Sequence, residues 1–171
     1  MGIPSGYTSG QVVQAVPVPK GIIQVQSTFK SDTFTMSSAT FSDVTGLTVS
    51  ITPTSASNKI YIVATVSTSQ TVGTNNGFLR LARGGTGIAL GDATGTRKPS
   101  TTTIDSPNGE FGVFSTLSFL DSPATTSATT YSVQISANGA SAVFVNRSST
   151  FSDYSGYATT SSTITVFEVT P

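Results

Sequence analysis

From Gly21 onward, apolar side chains recur at every second position, and this alternation constrains the fold more than any other feature. It is clearest in residues 47–51 and 60–66, where Leu, Val, Ile or Ala occupies alternate positions between Ser, Thr, Tyr or Val. A period of two places successive side chains on opposite faces of a strand. No segment shows the 3.6-residue period of a helix, and no repeat of fixed length occurs. The chain is therefore predicted to be all-β.

The alternation and the turn residues between segments predict eight to ten strands, at spacings typical of an antiparallel β-sandwich or jelly roll. The predicted strands cover residues 21–29, 33–36, 40–42, 47–51, 59–69, 77–83, 110–121, 128–137, 141–146 and 162–169. The pair Asn138-Gly139 predicts a two-residue hairpin between two of them. Residues 59–69 are expected to be buried on both faces. The polar segments 84–109 and 147–161 are predicted to be long loops, which are commonly functional or mobile.

Residues 1–20 differ from the rest and are predicted to form an extended N-terminal arm on a sandwich body of residues 21–171. Pro4, Pro17 and Pro19 disfavour helix there, and the short apolar stretch 11–16 has no neighbouring strand in the sequence. We expect the arm to order on a partner, through side chains that we take as candidate partner contacts: Tyr7, Val12, Val13 and Val16. The alternative is a plain disordered leader.

The composition removes most catalytic residue types. The chain has no histidine, cysteine or tryptophan, and about a third of it is Ser or Thr. A serine nucleophile would lack its usual histidine base, and the eight acidic residues are scattered beside turns, where Asp caps backbone groups. Without cysteine there are no disulfides or thiolate metal sites. We therefore predict no catalytic residues, and the chain is predicted not to be an enzyme; a polysaccharide depolymerase is the enzymatic alternative.

Cofactor and metal motifs are equally weak. The glycine-rich run 84–92 lacks the lysine and the helix of a phosphate loop and is better explained as a hairpin connection. A calcium site around Asp92 and Asp105 is conceivable, since oxygen ligands are available, but the spacing fits no EF-hand. Asn146-Arg147-Ser148 is a formal glycosylation sequon. We predict no cofactor and no bound metal.

Charge and hydropathy narrow the choice of partners. Eight basic and eight acidic residues give zero net charge, and the densest positive pair, Arg97-Lys98, is too small to bind nucleic acid by counterion release. No apolar run reaches the roughly 18–20 residues that a bilayer requires. The start of the chain lacks the pattern of a signal peptide. We expect a soluble protein made in the cytosol, with neither nucleic acid nor membrane as partner.

Three aromatic residues in the second polar loop, Phe151, Tyr154 and Tyr157, are the other candidate functional residues. Aromatic rings in a Ser/Gly-rich loop can bind a sugar or a protein. They can equally close the end of the sandwich or pack between subunits. The sequence leaves these alternatives open.

Several strings resemble β-rich structural proteins of tailed bacteriophages, especially marine ones. They include Asp32-Thr33-Phe34-Thr35, residues 41–53, Ser57-Asn58-Lys59-Ile60, Gly91-Asp92 with Arg97, Phe119-Leu120-Asp121-Ser122-Pro123, Tyr131-Ser132-Val133-Gln134, Val145-Asn146-Arg147-Ser148 and Ser162-Thr163-Ile164-Thr165-Val166. Residues 6–17 resemble the leaders of small phage structural proteins. The resemblance implies a virion protein without catalytic residues, and similar bodies occur in head-associated and in tail-fibre-like proteins.

Two hypotheses follow from this resemblance. The first is a capsid decoration, or cement, protein on the virion surface, made in the host cytoplasm. Its arm would bind the major capsid protein or other virion subunits, and its body would self-associate, most simply as a trimer. The second is a tail-fibre or receptor-binding tip that contacts host surface glycans through its long loops.

Overall fold

Eleven antiparallel strands make up two packed sheets in the computed structural model, which describes residues 20–71, 77–104, 112–138 and 142–171. The strands are β1 (Ile22–Lys30), β2 (Phe34–Met36), β3 (Ser42–Ile51), β4 (Lys59–Gln70), β5 (Gly77–Arg83), β6 (Thr86–Ile88), β7 (Thr102–Ile104), β8 (Val113–Asp121), β9 (Thr129–Ser136), β10 (Val143–Val145) and β11 (Ser162–Val169). The predicted all-β sandwich is confirmed. The described ranges contain no helix, so none of their segments could cross a bilayer as one.

The first sheet is built around β4, the longest strand. On one edge β4 pairs with β8, and on the other it pairs first with β11 and then with β10. Strand β1 continues the sheet beyond β11, and β2 continues it beyond β10. The second sheet has the order β3-β9-β5, with the short strands β6 and β7 side by side along the free edge of β5.

The core lies between the sheets and is filled by the alternate positions of the long strands. The inward side chains of the three central strands are fully or almost fully buried: Ile60, Ile62, Ala64 and Val66 from β4, Leu79 and Leu81 from β5, and Tyr131, Val133 and Ile135 from β9. Burying a side chain of this kind contributes about 1.5–3 kcal/mol. The every-second-residue pattern therefore identifies the core-facing positions correctly.

The structure corrects three details of the sequence prediction. Strand β10 pairs with β4 and β2 in the first sheet, whereas β9 belongs to the second, so the hairpin expected at Asn138-Gly139 between these two strands is wrong. The segment 84–109 is not one continuous loop, because it includes β6 and β7. The hairpin connection predicted for its glycine-rich start is confirmed: β5 turns into β6 through Gly84 and Gly85, both at positive φ (54° and 81°). Strand β4 is buried on both faces only in its second half, since Tyr61 remains 39% exposed.

The predicted arm and its four candidate contacts, Tyr7, Val12, Val13 and Val16, lie outside the described residues. They stay predictions. The described chain begins at the exposed Lys20 and enters β1, the outermost strand of the first sheet at that edge.

A buried carboxylate ties the two sheets together at one end. Asp121, the last residue of β8 in the first sheet, accepts hydrogen bonds from Arg83 Nη1 (2.9 and 2.8 Å to its two oxygens) and from the Tyr131 hydroxyl (2.7 Å). Both donors belong to the second sheet. Burial of Tyr131 and its bond to Asp121 raise the pKa of that phenol, so the hydroxyl keeps the proton that it donates.

We expect Asp121→Ala to lower the free energy of unfolding by about 2–4 kcal/mol, because it leaves the Tyr131 hydroxyl and the Arg83 guanidinium without their shared acceptor. Urea unfolding followed by circular dichroism measures this loss. Asp153→Ala is the matched control, since Asp153 is exposed and its loss should cost no more than about 0.5 kcal/mol. Equal effects of the two substitutions would contradict the role of Asp121.

A second buried carboxylate holds the connection between β3 and β4. Glu168 of β11 is fully buried, and its Oε1 accepts from the Thr54 backbone N–H (2.6 Å), the Thr54 hydroxyl (2.8 Å) and Asn58 Nδ2 (2.7 Å). With its amide oriented to donate, Gln24 reaches the other oxygen, Oε2, at 3.1 Å. Burial alone would raise the pKa of Glu168, but the bonds from Asn58 and Thr54 outweigh it and hold the pKa below its ordinary value.

This lowered pKa predicts acid sensitivity. The contribution of Glu168 to stability should be fully present above about pH 4.3, the usual pKa of an unfolded glutamate, and should be lost as the pH falls through the lower folded-state value. Glu168→Gln should cost about 1–3 kcal/mol at neutral pH, and the difference between it and the unsubstituted protein should shrink below pH 4. Urea unfolding across the pH series measures both; a difference independent of pH would refute the assignment.

Candidate functional site

The second polar loop, residues 147–161 between β10 and β11, carries the candidate aromatic residues. Phe151 and Tyr154 are each more than half exposed, and Tyr157 is half-buried. The loop therefore does not bury Phe151 and Tyr154 in the sandwich core. Two of the alternatives left open by the sequence remain for these residues, a ligand-binding surface and a contact between subunits.

The loop begins at a buried node formed by Asn146. This residue has a positive φ of 61° and no exposed surface. Its amide nitrogen donates to the backbone oxygens of Lys30 and Asp32 (both 3.0 Å), and its Oδ1 accepts from the Ser162 hydroxyl (2.6 Å). Every polar atom of the side chain is thus paired, and one residue joins the end of β1 to the start of β11.

The same node completes the backbone hydrogen bonding of the first sheet at the point where β4 changes its partner strand. Neither β11 nor β10 pairs with Ser67, which lies between their registers. The Ser67 carbonyl instead accepts from the Asn146 N–H (3.0 Å), and its N–H donates to Ser162 Oγ (3.0 Å). Buried backbone groups cost free energy when unpaired, so these bonds allow one long strand to pair with two shorter ones.

The loop then folds over the outer face of the first sheet. Ser69 donates its hydroxyl to the Arg147 carbonyl (2.8 Å), and the hydroxyls of Thr160 and Ser67 lie 2.7 Å apart. Ser67 and Ser69 are buried as a result, although both point away from the core. The start and the end of the loop are therefore fixed to the sheet, and the aromatic residues between them are presented outward.

Arg147 supports the base of the aromatic group. Its guanidinium carbon lies 4.1 Å from the ring centre of Phe144 and 4.8 Å from that of Phe151, so the cation contacts two π faces. Partial burial lowers the pKa of Arg147. Its Nε is buried with no hydrogen-bond partner among the described residues.

The tip of the loop forms an open cleft of about 320 Å³, lined by Phe151, Tyr154, Tyr157 and Asp153 together with small polar residues. The rings of Tyr154 and Tyr157 meet edge to face, with centroids 5.3 Å apart. Gly156 allows the Tyr154 ring to pack closely against the loop backbone, since a Cβ at this position would force that ring to shift. The cleft offers flat aromatic faces and one exposed carboxylate, which is chemistry that can bind a sugar or a protein.

The structure describes parts of the remaining sequence motifs. Asn146 of the sequon is buried and fully hydrogen-bonded, so it is closed to glycosylation in the folded chain. Within the described ranges, no three residues of the types that bind metal come together; Asp92 lies in these ranges and Asp105 does not. Lys98 lies over the Phe78 ring at 5.4 Å and donates to backbone carbonyls, so it is a local contact of the second sheet.

Sequence reasoning missed Asn146, Arg147 and Ser162 as organisers of the loop. An asparagine directly after a strand is a common residue at positive φ, and that was the available signal for Asn146. Nothing in the local sequence indicates that Ser162 and Ser67 meet, because they are far apart along the chain.

No protein-family model matches the chain, and no curated protein matches it in sequence.

Asn146→Ala should lower the free energy of unfolding by about 3 kcal/mol, because three buried hydrogen bonds are lost and alanine is strained at positive φ. Asn146→Gly separates the two causes, since glycine tolerates this φ but lacks the amide. Urea unfolding gives the stability, and hydrogen exchange of residues 147–161 reports the anchoring of the loop. Asn138→Ala, at an exposed asparagine, is the control and should change stability by no more than about 0.5 kcal/mol.

Proposed function

We propose that this chain is a non-enzymatic structural protein of a bacteriophage virion, and specifically a capsid decoration protein that binds and stabilises the assembled shell. The observation that carries the proposal is the strand order. Leaving out β2, β6 and β10, which are three of the four three-residue strands, the first sheet reads β1-β11-β4-β8 and the second reads β3-β9-β5-β7. We interpret this order as a jelly roll, the architecture of many viral capsid and lectin domains.

The use of the polar groups also supports a structural role. The two buried carboxylates, Asp121 and Glu168, hold the sheets and a turn through saturated hydrogen bonds. Neither faces the aromatic cleft, whose lining includes only one acidic residue, Asp153. These two buried carboxylates therefore serve the fold, and the outer surface of the described residues offers hydroxyls and apolar side chains for contact.

The arm supplies the attachment in this proposal. Residues 1–20 lead into β1 at the edge of the first sheet, where an apolar segment such as 11–16 can reach a neighbouring capsid subunit and add a strand to an exposed edge. Several arms on one oligomer raise the effective concentration of each contact. Binding to assembled shells and not to free subunits stabilises the shell by mass action, which would resist the pressure of packaged DNA.

Deleting residues 1–20 should abolish attachment to shells. We expect the full chain to co-sediment with phage heads that lack it and to raise their resistance to heat, and the shortened chain to remain in the supernatant with an unchanged circular dichroism spectrum. Hundreds of copies per virion would support the shell location. Attachment by the shortened chain would contradict the clamp role of the arm.

The aromatic cleft supports a second candidate function, a tail-fibre or receptor-binding tip. The exposed rings of Phe151 and Tyr154 could stack on the sugar faces of host glycans. In that case the protein would bind host cells, Tyr154→Ala would abolish binding, and Leu90→Ala, at an exposed apolar residue elsewhere, would leave it intact. A few dozen copies per virion at most, located at the tail by electron cryomicroscopy, would favour this function over the first.

A further inference from the structure

The outer face of the first sheet carries a row of apolar side chains across four neighbouring strands. The register aligns Val25 of β1 with Phe167 of β11, Phe167 with Tyr61 of β4, and Tyr61 with Leu120 of β8. Val25, Tyr61 and Leu120 are 50%, 39% and 48% exposed. The ring centroids of Tyr61 and Phe167 are 6.2 Å apart, so the row is a continuous apolar strip. We use the name Tyr61 face for this row together with the two rows that follow it along β4.

These next two rows carry no charge. They consist of Ser and Thr side chains together with Val63 and Phe29. Phe29, at one edge of the sheet, and Phe114, near the other, are each more than 60% exposed. Lys59 of β4 points to the same side of the sheet, but it lies in the row on the opposite side of Tyr61, outside the Tyr61 face, and its Nζ donates to Ser122 (2.8 Å). The whole face can therefore be covered without desolvating a charged group.

The outer face of the second sheet is different. Arg80 donates to Gln134 (2.8 Å) and lies 4.1 Å from the ring centre of Phe41, and Asp43 accepts from Ser132 (2.7 Å). The loop that carries Lys98 crosses the same side. Charged side chains and chain segments already cover that sheet, whereas in the described residues the Tyr61 face has no comparable cover.

The size of the Tyr61 face suits a protein interface. Four strands about 4.8 Å apart and three rows, which span about five residues at about 3.3 Å, give roughly 320 Å² in projection, and side-chain relief makes the accessible area larger. The exposed parts of Phe29, Tyr61 and the adjoining Phe114 amount to roughly 250–400 Å². Monomers rarely leave an apolar patch larger than a few hundred Å² exposed, so a patch of this size indicates an interaction site, although one smaller than the about 800 Å² per partner that a standard interface buries.

The geometry points to a second copy of this chain as the occupant: the Tyr61 face is the subunit contact of a homo-oligomer. A partner that brought charged groups to this face would lose the hydration of those groups and would gain no opposite charge in return. A second copy brings the same uncharged, apolar and hydroxyl-bearing surface, so that association removes apolar area from water without desolvating a charge. This inference deepens the proposed function, because an oligomer joined here would carry several arms into contact with a shell.

Sedimentation velocity of the full chain tests this contact in the absence of virions. We expect the unsubstituted protein to be an oligomer and Tyr61→Lys combined with Leu120→Lys to be a monomer, with the dissociation constant raised by about 100-fold or more because two charges would be buried unpaired. Ser118→Arg, in the adjacent row, adds charge without removing an apolar side chain and should weaken association too. Leu90→Lys is the matched control, since Leu90 is 38% exposed but lies outside the face.

The outcomes separate this inference from the proposed function. A monomeric unsubstituted protein, or folded face variants that remain oligomeric, would overturn the inference. If deletion of residues 1–20 dissociated the oligomer while the face variants remained oligomeric, the contact would be assigned to the arm. That result would also overturn the inference. An oligomer that depends on the Tyr61 face but does not co-sediment with phage heads would leave the inference standing and refute the decoration function alone.

Discussion

The first sheet depends on how the backbone of β4 is paired at Ser67. Strand β4 is long enough to serve two partners on one edge, and the gap between β11 and β10 would otherwise leave a buried donor and acceptor without bonds. The Asn146 N–H and the Ser162 hydroxyl fill this gap. Because Asn146 also bonds to the end of β1, the same residue fixes the start of the aromatic loop and the edge of the sheet. The position of the candidate site therefore follows from the hydrogen bonding of the fold.

The buried carboxylates also link distant parts of the fold through hydrogen bonds. With only 9% of the chain charged, the two fully or almost fully buried carboxylates accept three hydrogen bonds or more each and join parts of the fold that are distant in sequence. The carboxylate of Asp121 reaches from one sheet to the other, and that of Glu168 fixes the connection between β3 and β4. Such groups rigidify a fold when they are hydrogen-bonded, and each of these carboxylates has a donor at both of its oxygens, Gln24 serving the second oxygen of Glu168 with its amide oriented to donate.

The outer faces of the two sheets differ in what covers them. The second sheet covers its outer face with its own charged side chains and with the loop that carries Lys98. The first sheet covers only the region near Ser67 and Ser69, where the aromatic loop lies. The Tyr61 face and the aromatic cleft thus belong to the same side of the protein.

The sequence by itself determined the all-β class, most strand positions and the core-facing residues, because a period of two is a local property that directly sorts side chains between two faces. It also placed Phe151, Tyr154 and Tyr157 in a loop, but it left open whether they face the core or solvent. Only the tertiary structure decided that β10 joins the first sheet, that Asn146 is a buried node rather than an exposed sequon, and that Val25, Phe167, Tyr61 and Leu120 form one row. Each of these depends on pairing between residues far apart in the chain, and strand register is set by the packing of whole sheets rather than by any local pattern.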